Sequence, residues 1–364
     1  MKPLRIVIAG GGTGGHLYPG IAVARELRRR RPDAEVTFAG TAGGIEARVI
    51  PREGFTLDLL RSRGLKGMSA GALVRGLALL PLSGLDAWRI LSRRRPELVI
   101  GVGGYSSGPV VMAAAARGIP TLLLEQNAVP GFTNRILAHV VSAAAVSFEP
   151  TLSFFGKKGF VTGNPVRPEF FEPATPAPAG GPHRLLIFGG SQGAHAINAA
   201  MVEAGPRLAA RPGGVAITHQ TGERDLDFVR DGYRRAGIEA RVEPFLYAMD
   251  REMRSADLVV CRAGATTLAE LTAAGVPALL VPLPTAADDH QRRNAEALAA
   301  GGAAELMSQK DLTGAALADR IAALLADGEA RRRMSDAARR FARADASAAI
   351  AARALQLAGA AEGD

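Results

Sequence analysis

The feature that most limits what this chain can become is a local pattern that occurs at the start of each half. Leu4 to Ala9 is a short β-rich apolar run leading into Gly10-Gly11-Gly12-Thr13-Gly14-Gly15, and helical spacing follows. Leu185 to Phe188 leads in the same way into Gly189-Gly190-Ser191-Gln192-Gly193 and a second helical pattern. A strand that turns through glycines into a helix is the opening unit of a parallel α/β sheet, and its loop lets backbone amides approach an anion at the helix N-terminus.

The rest of the chain continues the alternation of strand and helix. Glu35 to Ala39, Leu98 to Val102, Thr121 to Leu124 and Ala143 to Ser147 complete a first predicted sheet. Val215 to His219, Arg241 to Val242, Leu258 to Cys261 and Ala278 to Val281 join Leu185 to Phe188 in a second. Between the sheets, Pro173 to Pro182 is too rich in proline, glycine and alanine for either element and reads as a linker. A chain of 364 residues exceeds what one core usually serves. The expectation is therefore α/β, with two Rossmann-like domains, 1–167 and 168–342, facing a cleft. The Ala- and Arg-rich final stretch has helical spacing, and its last part, about 343–364, either closes the second domain or packs back on the first.

The formal charge of +9 calls for a negatively charged partner. Four arginines run from Arg28 to Arg31 and three from Arg93 to Arg95, with few aromatic residues nearby to stack on bases, so nucleic acid is disfavoured. Cys261 is the only cysteine, which leaves no disulfide framework and fits a reducing compartment. The N-terminal residues show no signal-peptide pattern, and no run reaches the roughly 18 apolar residues of a spanning helix. The chain is expected to be soluble or to lie on a membrane.

Gly10, Gly12 and Gly15 satisfy a dinucleotide-binding spacing. That reading needs an acidic residue at the end of the second strand, which here ends Phe38-Ala39-Gly40-Thr41; Asp33 and Glu35 sit at its beginning.

Six segments in order resemble the MurG family of peptidoglycan N-acetylglucosaminyltransferases. They are Gly10 to His16, Gly103 to Pro109, Glu125-Gln126-Asn127, Gly163 to Arg167, Gly189 to Ala194 and Cys261 to Ala265. The resemblance implies a GT-B fold and inverting transfer of N-acetylglucosamine from UDP-N-acetylglucosamine to the C4 hydroxyl of MurNAc in the undecaprenyl-pyrophosphoryl precursor lipid I, giving lipid II, without a cofactor. It also implies a peripheral site on the cytoplasmic face of the membrane, with other cell-wall synthesis proteins as candidate partners. Carried over by position, Ser191 and Gln192 meet the donor phosphates, Arg167 contacts the nucleotide near the hinge, Leu246 meets the uracil and Glu270 the ribose hydroxyls. Ala265 and Thr266 line the same site, and Thr13, Gly14, Gly15, Asn127 and Gln291 border the transferred sugar. Gly103, Gly104 and Tyr105 form an acceptor loop. One departure is Asp288-Asp289-His290-Gln291, where some members carry paired glutamines.

Inverting transfer needs a base for the acceptor proton and positive charge for the departing diphosphate. His16, directly after the glycine loop, is the first candidate for the base, and His290 is its competitor; the alternative for His16 is that it only orients the loop. Asp225-Leu226-Asp227 is the only D-x-D, and its helical setting points the two carboxylates to different faces, so no metal site is expected. Glu270 has an alternative as a partner of a helix N-terminal dipole. Leu73 to Leu82, with Arg61, Arg63, Lys66, Arg75 and Arg89, suits contact with an anionic leaflet, and a buried core helix is the other reading. The rival enzyme is a UDP-N-acetylglucosamine 2-epimerase or another GT-B transferase, and the rival class a sugar-nucleotide-binding scaffold without turnover.

Overall fold

The computed structural model describes residues 3–62, 80–173, 180–190, 192–286 and 289–360. The chain divides into two compact units, Met1–Val166 with Arg343–Asp364, and Arg167–Ala342.

In the first unit the strands are β1 (Arg5–Ala9), β2 (Glu35–Gly40), β3 (Thr56–Leu59), β4 (Leu98–Gly101), β5 (Thr121–Glu125), β6 (Ala143–Val146) and β7 (Gly159–Val161). They form one parallel sheet in the order β3-β2-β1-β4-β5-β6-β7. The order reverses between β1 and β4, and in such sheets ligands bind outside the carboxyl ends of the strands at that point. Residues of β1, β4, β5 and β6 are buried on both faces, which is why they read as continuous apolar runs. One face packs against the helix Gly14–Arg30 and the final helix Ala346–Leu357, whose Ile350, Ala351, Ala354 and Leu355 enter that core. The other is covered by the helices Leu80–Arg94 and Ser107–Ala116.

The second unit repeats the plan with β8 (His183–Phe188), β9 (Val215–Gln220), β10 (Ala240–Glu243), β11 (Leu258–Cys261), β12 (Ala278–Leu280) and β13 (Glu305–Leu306). Their parallel order is β10-β9-β8-β11-β12-β13, with the reversal between β8 and β11. Cys261 is buried on β11, and desolvation pushes its thiol up, away from the reactive thiolate.

Three strands go beyond the sequence reading: β3, β7 and β13, all at or next to a sheet edge. β3 was hidden by Asp58, which is buried and accepts hydrogen bonds from Arg93 (2.6 Å) and Arg94 (2.7 Å). The same pairing changes the meaning of the arginine runs. Arg29 and Arg30 bond Glu26, Arg31 bonds Asp33, and the Arg28 guanidinium lies 4.0 Å from the Phe55 ring centroid. Both runs are largely tied to carboxylates within the fold, so neither is a patch of unpaired cations.

Candidate functional site

Three sequence motifs of the first unit sit at the carboxyl ends of β1, β4 and β5, around its switch point, whereas Gly163 to Arg167 follows the edge strand β7. The loop after β1 runs from Gly10 into the helix Gly14–Arg30, with Thr13 as its N-cap and Gly14, Gly15 and His16 in the first turn. The loop after β4 carries Gly103, Gly104 and Tyr105 into the helix Ser107–Ala116. The two loops interlock. Gly103 has φ +94°, and a Cβ there would stand 2.7 Å from His16 Nδ1, so glycine is required both by its backbone and by the imidazole against it. Tyr105 packs its ring against Gly12, and its carbonyl accepts from Ser62 Oγ at 3.1 Å.

A residue that the sequence reading missed holds this loop. Glu46 is fully buried at the start of the helix Glu46–Arg52, and its carboxylate accepts from Gly12 N (2.8 Å), Thr41 N (2.9 Å) and Thr41 Oγ1 (2.8 Å). The Gly12 amide is therefore turned onto a carboxylate rather than toward a ligand phosphate. That geometry opposes a dinucleotide cradle more directly than the end of β2 does. Nothing in the spacing of Glu46 announced the role, because its partners lie five and thirty-four positions away.

At the end of β5, Glu125 is buried and its two oxygens collect Asn127 N (2.9 Å), Asn127 Nδ2 (3.2 Å), Gly131 N (3.1 Å) and Asn134 Nδ2 (2.9 Å). Asn127 is thus held by its amide nitrogen. Between them Gln126, also buried, reaches His16: its Oε1 stands 3.3 Å from His16 Nδ1.

In the second unit the loop after β8 leads into the helix His195–Ala209. Gly193 has φ +75°, and a Cβ there would run into the carbonyl oxygen of Thr221. Gln192 is exposed on this loop, and Ser191 lies outside the described residues, as do Asp288 and the segment 63–79 with Arg63, Lys66 and Arg75. Gln220, at the end of β9, is the second missed residue. Its Nε2 donates to Gly190 O at 2.9 Å and its Oε1 accepts from Leu246 N at 2.8 Å, so one buried amide ties the glycine loop to the turn after β10. Beneath it, buried Asn198 donates to Thr221 O (3.0 Å) and to Asp225 Oδ2 (2.8 Å). Its Oδ1 faces His219 Nε2 at 3.0 Å, and Tyr233 Oη lies 2.8 Å from His219 Nδ1. Desolvation lowers the pKa of His219 to about 3, which keeps it neutral and structural.

The motif after β11 enters the helix Ala265–Ala274, with Gly264 as N-cap and Ala265 and Thr266 in the first turn. Glu270 sits a turn further in, and no acidic residue occupies the first turn, which removes the dipole-partner alternative. Burial pushes the Glu270 carboxyl up to about 7, and the charge of Arg167 pulls it partly back. Arg167 itself precedes the turn Pro168–Phe171, its guanidinium 5.1 Å from the Phe170 ring centroid. Gln291, in the first turn of the helix His290–Ala300, accepts from Leu283 N (3.0 Å) and Ala263 N (3.3 Å) through Oε1, which leaves its NH2 group as the end that can meet a sugar. His290 opens that helix after Asp289, whose φ is +54°.

Asp225 of the D-x-D is occupied by Asn198 and by His195, whose Nδ1 lies 3.0 Å away, while Asp227 lies in the first turn of the helix Leu226–Arg235. Among the described residues no group of three His, Cys, Asp or Glu could hold a metal ion. None of the described helices is long and apolar enough to cross a membrane.

Comparison with known proteins agrees with this plan unit by unit. Residues 6–146 match the glycosyltransferase family 28 N-terminal domain, and residues 184–350 the glycosyltransferase family 28 C-terminal domain. The UDP-N-acetylglucosamine--N-acetylmuramyl-(pentapeptide) pyrophosphoryl-undecaprenol N-acetylglucosamine transferase of Anaeromyxobacter sp. (strain K) is 49% identical over 350 residues, covering 96% of this chain and 91% of that protein. The crystal structure of Acinetobacter baumannii MurG superposes with a TM-score of 0.78 at 31% identity, over 97% of this chain and all of that one. A putative UDP-N-acetylglucosamine 2-epimerase from Listeria monocytogenes reaches a TM-score of 0.70 at only 15% identity, over 97% of this chain and 96% of that one, and shares the fold alone. Near-full-length identity of this size, carried on two GT-B-type parallel sheets, means that the chain belongs to the MurG family of glycosyltransferase family 28.

Proposed function

We infer that this protein transfers N-acetylglucosamine from UDP-N-acetylglucosamine to lipid I, giving lipid II and UDP. The observation that carries this reading is the 49% identity to the transferase over 96% of this chain. The epimerase alternative has only the shared fold in its favour.

The chemistry we propose is a direct displacement with inversion. The C4 hydroxyl oxygen of MurNAc attacks the anomeric carbon, the bond from that carbon to the UDP oxygen breaks, and the hydroxyl proton passes to His16. The second unit is the donor side. Backbone amides of the loop after β8, with Ser191, Gln192 and Arg167, stabilise the diphosphate. Leu246, held by Gln220, meets the uracil, and Glu270 accepts from the ribose hydroxyls, with Ala265 and Thr266 beside it. Thr13, Gly14, Gly15, Asn127 and the NH2 group of Gln291 border the sugar, and Gly103, Gly104 and Tyr105 serve the acceptor. The occupied Asp225 supports a reaction that runs without a metal. A transfer assay with labelled UDP-N-acetylglucosamine and a lipid I analogue is expected to form the β-linked disaccharide undiminished in excess EDTA. Activity that is lost in EDTA and restored by magnesium or manganese overturns the metal-independent mechanism, and absence of transfer under all conditions overturns the function.

The first unit also supports a peripheral membrane site. The helix Leu80–Arg94 buries Ala87, Ile90 and Leu91 but exposes Leu82, Leu85 and Trp88, which recur every three residues on one face. Exposed Met112 lies on the neighbouring helix, and Arg117 stands 5.0 Å from the Trp88 ring centroid. Apolar area flanked by Arg89 and Arg117 suits an anionic leaflet, whereas Arg61 is engaged by Asp86 at 2.7 Å. Replacing Leu85 and Trp88 by serine is expected to release the protein from anionic vesicles in a sedimentation assay while turnover of a water-soluble acceptor persists. Unchanged sedimentation would move the contact elsewhere.

A further inference from the structure

We propose that Gln126 is a positioning residue that fixes His16 in the tautomer protonated at Nδ1, leaving the basic lone pair on Nε2. The catalytic part of this inference rests on His16 being the base; the tautomer itself does not.

The assignment follows from donors and acceptors. Gln126 is 2% exposed, and its Nε2 donates to the carbonyl of Val102 at 3.0 Å. A carbonyl can only accept, so the amide cannot be turned the other way, and Oε1 must be the atom 3.3 Å from His16 Nδ1. That oxygen can only accept as well. His16 Nδ1 therefore carries hydrogen, and in the neutral ring Nε2 is the proton acceptor. The Val102 carbonyl is itself anchored, because Val102 N donates to Ala9 O at 2.9 Å, across the switch point between β4 and β1. Gly103 closes the arrangement by lying directly against the imidazole.

The choice of an amide has a consequence for the base. An ionised carboxylate in the same place would also accept from Nδ1 but would favour the imidazolium, raising its pKa by about 1–3 units, and would set an oxygen against the Val102 carbonyl, which needs a donor. Gln126 orients without adding charge. The titratable groups on the segments around His16 are Glu46, bonded to Gly12; Tyr105, against Gly12; Tyr18, on the same helix; and Glu125, whose oxygens are taken by Asn127, Gly131 and Asn134, while Arg25, Glu26 and Arg28 to Arg30 lie more than two turns further along that helix.

The test uses the full chain with 15N-labelled histidine, together with Gln126→Leu and Gln126→Glu. In the parent, nitrogen shifts of His16 are expected to show a protonated Nδ1 and an unprotonated Nε2 at neutral pH. Gln126→Leu is expected to lose that preference and to lower kcat by roughly 10- to 1,000-fold with little change in donor KM. Gln126→Glu can satisfy the Val102 carbonyl only as the neutral acid, its hydroxyl donating there and its carbonyl oxygen accepting from His16 Nδ1, and is expected to keep the tautomer and most of the kcat that Gln126→Leu loses. Retention of both in a variant that keeps both hydrogen bonds distinguishes positioning from a packing role even if Gln126→Leu folds poorly. A parent His16 protonated at Nε2 overturns the proposal, and so does a Gln126→Glu variant that loses the tautomer while folding like the parent. If the tautomer is as expected but His16→Ala turns over normally, the reading of His16 as base fails and the tautomer assignment stands.

Discussion

His16→Ala is expected to lower turnover by ~10²–10⁴-fold, the range over which a positioned general base acts, with donor affinity nearly unchanged. The size follows from what the ring does in the proposed step, which is to take the acceptor proton as the bond to the anomeric carbon forms. Donor affinity is spared because the nucleotide is proposed to bind through Gln192, Leu246 and Glu270, all on the second unit. Steady-state kinetics separates the outcomes. Near-normal kcat at saturating substrates excludes the role, and a raised acceptor KM alone makes His16 a binding residue. An acidic limb that survives in the variant points to another base, with His290 the next to replace.

Glu270→Ala is expected to weaken UDP binding by about 1.5–3 kcal/mol, or roughly 10- to 150-fold, because a charged acceptor for two hydroxyls is lost. The pH behaviour is more discriminating. Desolvation raises the Glu270 carboxyl from its ordinary value of 4.5 to about 7, so between these values the folded protein binds more protons than the unfolded chain. Stability from this group is therefore present below about pH 4.5, declines as pH rises, and is fully lost above about 7. Glu270→Gln removes the titration. Urea denaturation is expected to find it level with the parent near pH 4.5 and more stable by about 2–3 kcal/mol at pH 8. Ribose hydroxyls that donate to the carboxylate favour its charged form, so UDP binding near pH 7 is expected to release up to about half a proton. Isothermal titration in buffers of different ionisation enthalpy measures this. Unchanged affinity in Glu270→Ala, or no proton release from the parent, refutes the contact.

The elements that were legible had signals contained within themselves. β1, β4, β8 and β11 are buried on both faces and read as apolar runs, and the glycine turns after β1 and β8 mark the switch points of both sheets. β3 was illegible because Asp58 in its middle looks like a surface residue until Arg93 and Arg94 are seen to neutralise it. Within the site, the motif residues could be named by resemblance, but Glu46 and Gln220 could not, since neither carries a spacing signal. Gln126 stood inside a recognised motif with no role, because its role depends on Val102 and His16, far from it in sequence.

By itself, then, the sequence determined the class of fold, the two strand-to-helix glycine turns and the family, because strand, turn and helix preferences are local and the motifs are contiguous. Tertiary structure alone decided which polar groups are already spent. It turned the Gly12 amide onto Glu46, tied Gly190 to Leu246 through Gln220, paired most of the arginine runs internally, and carried the final helix Ala346–Leu357 onto the first unit. The physical reason is that a hydrogen bond or ion pair in a buried site is set by which distant segments share the space, and desolvation makes leaving such a group unpaired costly enough to enforce the match.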